Sequence, residues 1–427
     1  MTILTLFLSF FILMLIGVPI AVSLGFSALI TMALSTPIPL STIVQKAFTS
    51  IDSFTLLAVP FFILTGVLMG HGGISKRLLN LANVLTGFLI GGLAMVTVLA
   101  SMFFAAISGS GPATVSAIGS IIIPTMKQQK YDTGFASAIT AAAGSIGVII
   151  PPSIPMIMFG IIGGVSIGGL FLAGIIPGIL VGISLMLTAY LISKKNGYKG
   201  TGKIPTFKAV LKATNEAKLS LLVPVIILGG IYSGLFSPTE SAVVGCVYAL
   251  IVGGLVYKEL SWKKVYESFA ETAMINVTVI IIVSFSVSFA YLLTIERIPG
   301  TIATFLVGLT DNPIMILLLI NLFLLVVGMF LDTISAIVIV TPILLPIATQ
   351  IGLDPIHFGI IMITNLAIGY VTPPLGVNLF VASNIAKVSV ERVIKGVLPF
   401  ILAMIITVIM VILIPGLSMF LPNLMNK

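Results

Sequence analysis

Four short segments hold most of the chemistry available inside an otherwise apolar chain. They are SGSGP at 108–112, GSIGVIIPPS at 144–153, LDTIS at 331–335 and LAIGYVTPPLGVN at 366–378. A proline within a helix removes a backbone donor and clashes with the carbonyl one turn back. Two consecutive prolines with a glycine four residues earlier, as in the second and fourth segments, predict a helix that unwinds in its middle. Freed carbonyls and nearby hydroxyls suit a small hard cation with oxygen ligands. The N-terminus of the half-helix that follows suits an anion such as a carboxylate. The cation candidates are Ser108, Ser110, Ser145 and Gly147 in one half, and Gly328, Asp332, Thr333, Gly369 and Thr372 in the other. The candidates for contact with an organic anion are Pro152, Ser153, Asn365, Pro374 and Asn378.

Each assignment has a plainer alternative. A diproline can be a simple kink, although two at equivalent positions favour binding sites. Asp332 stands alone in VVGMFLDTISAIVIV, and an intramembrane carboxylate is a functional candidate by default. Asp followed by Thr-Ile-Ser equally suits the N-cap of a helix. Glu240, in SPTES, reads as a cap.

The elements that position these segments are membrane helices. Hydrophobic residues make up 59% of 427 residues and charged residues 7%, against about 25% charged in a soluble domain. Mean hydropathy is +1.28. Apolar stretches long enough to span a bilayer recur, and they are continuous rather than alternating, so helices are expected and a barrel is not. Residues 1–25 lack a basic n-region and an A-x-A site and are read as membrane helix. The one cysteine, Cys246, excludes an internal disulfide. The net charge of +8 fits basic cytoplasmic loops better than nucleic-acid binding. Seven lysines between Lys194 and Lys218 mark a cytoplasmic linker, and Trp262 beside Lys263 and Lys264 reads as an interface anchor.

The chain repeats itself at an offset of 222 residues. Residues 109–160 overlay 331–382 without a gap, with identities that include Pro124/Pro346, Asp132/Asp354, Gly147/Gly369, Pro151/Pro373 and Pro152/Pro374. Loop charge reverses between the halves. Lys76, Arg77, Lys127 and Lys130 face counterparts at 298–299 and 349–352 without Lys or Arg, while Lys258, Lys263, Lys264, Lys387, Arg392 and Lys395 match uncharged stretches at 36–42 and 165–173. Under the positive-inside rule, equivalent loops then lie on opposite sides of the membrane, so the halves are expected to be inverted repeats. The first repeat is placed at 1–192, with a re-entrant hairpin at about 91–126 and a broken helix at about 134–160. The linker is placed at 193–218. The second repeat is placed at 219–427, with a hairpin at about 313–348 and a broken helix at about 357–383. Two full spans joined by a tight external turn are the alternative to the first hairpin. The halves are not chemically equivalent, since Asn365 and Asn378 match Ala143 and Met156.

No G-x-x-x-x-G-K-[ST] or H-E-x-x-H occurs, and no histidine or lysine lies near SGSGP to activate its serines, so an enzyme is not expected. A channel remains a rival, because broken helices also build filters.

Taken together and in order, GVPIAVSLG, DSFTLLAVPFFILTGVLM, SGSGPATVSAIGSIIIPTM, GSIGVIIPPSIPMI, SPTESAVVG, GMFLDTISAIVIVTPILLPI and IGYVTPPLGVNLFVAS resemble the large membrane (M) subunit of the tripartite ATP-independent periplasmic (TRAP) transporters, over essentially the whole chain. The resemblance implies a Na+-coupled importer of the bacterial inner membrane, with an elevator-type mechanism. It implies a soluble periplasmic binding protein that delivers an organic acid, and a small four-helix membrane (Q) subunit as a separate polypeptide. Its cation sites would fall around Ser108–Ser110 and residues 145–150, and on Gly328, Asp332, Gly369 and Thr372. The family's substrates include C4-dicarboxylates, sialic acid and other sugar or keto acids, with the sialic-acid branch the expected one here.

Overall fold

The computed structural model describes residues 2–310 and 312–425. Its regular structure is helical. The first half of the chain forms α1 (Thr2–Leu15), α2 (Ile20–Ser35), α3 (Ser41–Ile51), α4 (Ala58–His71), α5 (Ile74–Thr86), α6 (Gly92–Ser108), α7 (Gly111–Gln128), α8 (Thr133–Gly144), α9 (Ile154–Gly163) and α10 (Ile167–Asn196). The second half forms α11 (Phe207–Tyr232), α12 (Pro238–Leu250), α13 (Trp262–Ile295), α14 (Ile298–Leu309), α15 (Pro313–Phe330), α16 (Thr333–Gln350), α17 (Pro355–Gly369), α18 (Val377–Ala386), α19 (Val390–Leu413) and α20 (Gly416–Met425). Among the described residues, eight helical segments are long and apolar enough to cross a membrane. Large apolar side chains such as Leu15, Leu34 and Leu187 lie on the outer surface, as a lipid solvent permits. The chain is thus a polytopic helical membrane protein.

The offset of 222 residues reappears in the helix bounds. α7 and α16 differ by 222 at both ends, and α8 and α17 start 222 apart. The shared cap residues explain this agreement. Asp132 and Asp354 both N-cap their helices, the Asp132 carboxylate accepting from the Phe135 N–H at 2.9 Å and the Asp354 carboxylate from the Ile356 N–H at 2.7 Å. The halves part ways earlier in the chain. A bend at Asp52–Ser53 separates α3 from α4, whereas the corresponding stretch is one 34-residue helix, α13. The lysine-rich stretch is also more helical than a linker would be. α10 continues to Asn196 and α11 begins at Phe207, which leaves only 197–206 irregular.

Packing divides the helices into two groups. α4 lies on α12, and α13 runs along α2, α3 and α4. The hairpins α6–α7 and α15–α16 pack mainly with α8, α9, α17 and α18, although α16 also lies against α13 and α6 against α4. α5 bridges them, following α4 through Gly73 (φ +79°) and meeting α6 through Gly91 (φ +69°). Both glycines hold left-handed backbone that other residues rarely adopt. Capping follows the sequence reading at α12, where Ser237 and Glu240 form a reciprocal capping box.

Ion pairs join the two halves: Arg77 meets Glu259 at 2.8 Å, and a second pair lies between α19 and the start of α8. Arg392 on α19 donates to the Asp132 carboxylate at 2.6 Å. Partial burial pushes the Asp132 pKa up, but the Phe135 N–H and the Arg392 guanidinium outweigh it and hold the carboxyl below its usual range. A carboxyl depressed on folding stabilises the fold above its unfolded pKa of about 3.9 and loses that contribution as pH falls through the folded value. Both side chains are about half exposed, so the pair is worth no more than about 1 kcal/mol. Arg392→Met is therefore expected to lower the melting temperature slightly at pH 7, with the gap from wild type closing below about pH 4; a pH-independent gap would assign the loss to packing alone.

Candidate functional site

The two hairpin tips dock on the two helix breaks. At the first tip, α6 ends in left-handed Gly109 (φ +60°) and α7 begins one residue later, after Ser110. The Gly109 carbonyl accepts the Ile154 N–H at 3.3 Å, so the tip is bonded to the start of α9 just beyond the diproline. A Cβ at Gly109 would stand 2.8 Å from the Pro152 carbonyl oxygen. That close approach is a second reason for glycine here. At the second tip the Leu375 N–H donates to the Met329 carbonyl at 3.1 Å. The Pro151–Pro152 and Pro373–Pro374 peptide bonds are both cis.

Around the first break the polar atoms converge. Ser108 Oγ lies 3.1 Å from Thr114 Oγ1, and Thr114 Oγ1 donates to the Ser110 carbonyl at 2.8 Å. Gly147, in the short 3-10 turn after α8, packs against that same carbonyl: a Cβ there would meet Ser110 O at 2.5 Å and Thr114 Oγ1 at 2.6 Å. Ser153 bridges the unwound segment, donating to the Val148 carbonyl at 2.6 Å while its Oγ accepts the Met156 N–H at the start of α9. Ser108, Thr114, Ser145 and Ser153 are all buried.

Around the second break the pattern is similar in backbone and different in side chain. Asp332 N-caps α16, accepting from the Ile334 and Ser335 N–H groups at 3.1 Å each and from the Ser335 hydroxyl. Its capping role is therefore real, and it occupies the place of Ser110 in the other half. Gly328 and Gly369 meet backbone to backbone, and a Cβ on Gly369 would overlap the Gly328 carbonyl. Thr372 Oγ1 donates to the Ile368 carbonyl at 2.8 Å.

The two asparagines take different places. The Asn365 amide donates to the Asn321 side chain at 2.8 Å and to the Asn321 carbonyl at 3.0 Å, fastening α17 to α15, while its Oδ1 has no partner. Asn378 reaches across to the first half, donating to the Ala141 carbonyl at 3.1 Å and to Ser145 Oγ at 3.3 Å, while its own N–H bonds the Tyr370 carbonyl at 3.0 Å. It is fully buried, and its Oδ1 has no partner. One residue thus bonds both breaks, the first through its side chain and the second through its backbone. Two participants, Thr114 and Asn321, were not singled out by the sequence. Their signal was present: a hydroxyl one turn after Ser110, and a lone amide within PIMILLLINLFLLVVGMF.

A cavity of about 480 Å3 runs beside the first hairpin, between α7 (Ala113, Ser116) and the wall formed by α4 and α13 (His71, Lys264), with Glu259 also lining it. A recess of about 730 Å3 lies elsewhere, around Ser166, Tyr232 and Pro422, and does not reach the breaks. Among the described residues no three His, Cys, Asp or Glu side chains cluster as metal ligands do. A cation at the breaks would be held by carbonyls, hydroxyls and, in the second half, Asp332.

These features define a helical membrane transporter fold. The Alcanivorax borkumensis YdaH transporter shares that fold, with a TM-score of 0.62 at 18% identity over 88% of each chain. Residues 7–417 match the family model of the tripartite ATP-independent periplasmic transporter, DctM component, and the chain belongs to that family. It is 51% identical to the isethionate TRAP transporter permease protein DctMQ of Oleidesulfovibrio alaskensis, over 95% of this chain and 64% of that one. It is 40% identical to the sialic acid TRAP transporter large permease protein SiaM of Vibrio cholerae, over 96% of this chain and 95% of that one. Such relatives are permeases, the class that the sequence resemblance implies.

Added volume at the tip contacts should break them. Overpacking a filled site costs about 1–3 kcal/mol. Gly147→Ala and Gly369→Ala are expected to lower transport about tenfold or more, whereas Gly70→Ala, which meets nothing within 4 Å, should leave it unchanged. Wild-type transport in both break variants would show that the tips need not seat on the breaks.

Proposed function

We propose that this chain is the transport subunit of a Na+-coupled secondary transporter of the bacterial inner membrane. It imports an organic acid that a periplasmic binding protein delivers, and it works alongside a small Q subunit. The observation that carries the reading is the seating of both hairpin tips on unwound, oxygen-rich helix breaks at equivalent positions of the two halves. Reversed loop charge adds support, because inverted repeats with broken helices at their interface are a transporter architecture. In this reading Na+ binds near Ser108, Ser110, Ser145 and Gly147, and near Gly328, Asp332, Gly369 and Thr372. The anion binds between the breaks, near Pro152, Ser153, Pro374 and Asn378. Neither break carries Lys or Arg. An anion there is recognised by the N-termini of α9 and α18 and by hydroxyls, with bound Na+ supplying positive charge.

The hairpin group moves as a body against the group built on α4, α12 and α13, with α5 as the connecting arm between its two glycine joints. The cavity beside α7 is lined by Lys76 and Lys264, which the loop charges assign to the cytoplasmic side. The relative at 51% identity is named for isethionate and the one at 40% for sialic acid. Both are small organic anions, and we extend the substrate class from carboxylates to include sulfonates.

Uptake into proteoliposomes holding this chain and its small partner tests the reading. Isethionate, sialic acid and a C4-dicarboxylate would each be presented on its binding protein, under an inward Na+ or K+ gradient. Accumulation of one of them only with Na+ and only with its binding protein is the expected result. Flux indifferent to both would establish a channel or another transporter type.

A further inference from the structure

We infer that the segment from Lys194 to Lys218 is a binding surface for anionic phospholipid headgroups, and that it ties the base of the first hairpin to the cytoplasmic leaflet. The segment holds seven lysines and one acidic residue, Glu216. All seven lysines are exposed, and none forms an ion pair among the described residues. Glu216 is engaged with Asn80 at 3.2 Å rather than with a lysine.

Alongside these charges are apolar side chains facing outward. Ile204 is 79% exposed, Phe207 82% and Leu211 59%. Helical spacing explains the arrangement. Ala213, Ala217 and Ser220 are the buried stripe of α11, with Ala213 and Ala217 packed beside Leu81 of α5. Phe207, Leu211 and Lys218 form one outward stripe, and Lys208 and Lys212 form the next. The free face of this half of α11 is therefore apolar and cationic together. α11 has 26 residues, about 39 Å of helix, against a hydrocarbon core of about 30 Å. Its continuous apolar run begins only at Leu221. The first three turns thus project from the span at the level of the headgroups. Interleaved lysines and large apolar groups at that level fit acidic lipid. Phe207 and Leu211 enter the acyl boundary while the lysines meet phosphates. A soluble polyanion would satisfy the lysines and leave Ile204 and Phe207 in water.

The rest of the segment is fastened to the moving parts. The Gly91 N–H donates to the Tyr198 carbonyl at 3.0 Å, and the Thr201 N–H to the Gly87 carbonyl at 3.1 Å. The Tyr198 hydroxyl accepts the Asp132 N–H at 3.0 Å, and its ring stacks on Tyr131 with centroids 4.3 Å apart. Lipid held on α11 is consequently linked, through ten residues of backbone, to the loop before α6 and to the start of α8.

The inference rests on the cytoplasmic placement of this segment, and its test does not depend on transport. The full chain in a zwitterionic detergent would be titrated with short-chain phosphatidylglycerol and phosphatidylcholine, and bound lipid counted by native mass spectrometry. Preferential retention of phosphatidylglycerol is expected. It should weaken about tenfold or more in K203Q/K208Q/K212Q/K218Q, and also in I204S/F207S, with both variants melting as wild type does. Retention equal for the two lipids, or unchanged in the lysine variant, would overturn the inference. Competition by glycerol phosphate as strong as by phosphatidylglycerol would overturn it too, by showing a site for free phosphate. In proteoliposomes, uptake by wild type should rise with phosphatidylglycerol content and that of the lysine variant should not. A chain that transports nothing but still binds the lipid would refute the proposed function and leave this inference standing.

Discussion

The requirement that every peptide group at membrane depth find a partner governs this structure. Hydrocarbon offers no hydrogen bonds, so an unwound segment survives only if protein supplies them. Two diprolines unwind two helices, and the hairpin tips are what they unwind against. The Gly109 carbonyl takes the Ile154 N–H, and the Met329 carbonyl takes the Leu375 N–H. Small residues follow from that demand, because Gly109, Gly147 and Gly369 stand where a Cβ would collide with an opposing carbonyl. Glycines, prolines and hydroxyls in the four segments are thus parts of one solution rather than separate motifs.

The same constraint makes the breaks suited to ions. A carbonyl released from a helix keeps lone pairs that the surrounding protein only partly uses. Asn378 illustrates the balance. Its amide N–H groups satisfy Ala141 and Ser145 in the opposite half, while its buried Oδ1 is left without a partner. A buried polar atom of this kind costs about 1–3 kcal/mol unless something occupies the space beside it. Its counterpart in the repeat is Met156, so the bridge between breaks exists in one direction only. The two halves share a backbone plan and differ in chemistry, with Ser110 at one tip and Asp332 at the other.

Much of this architecture was legible in the sequence because backbone-determining residues announce themselves locally. Asp132 and Asp354 mark helix starts, and Pro151, Pro152, Pro373 and Pro374 mark breaks wherever the chain goes. What stayed hidden depends on partners distant in sequence. Asn365 looked like a residue flanking the second break, but its position against Asn321 is set by how α15 and α17 pack. Thr114 gains meaning only because Gly147 approaches Ser110 beside it. The lysine-rich stretch read as a cytoplasmic linker, and charge alone does not tell its backbone; most of it continues α10 and α11 as helix. The bend between α3 and α4, against the unbroken α13, carried no proline to announce it.

The central claim is that the seated breaks hold Na+. It is tested most directly by melting the purified chain while Na+ is titrated against K+ at constant ionic strength. The account predicts a saturable rise in melting temperature with Na+ alone, because a ligand that binds only the folded state stabilises it by mass action. That rise should shrink in Thr372→Ala and Gly147→Ala. Identical melting in Na+ and K+ would contradict the claim and leave the breaks as structural joints.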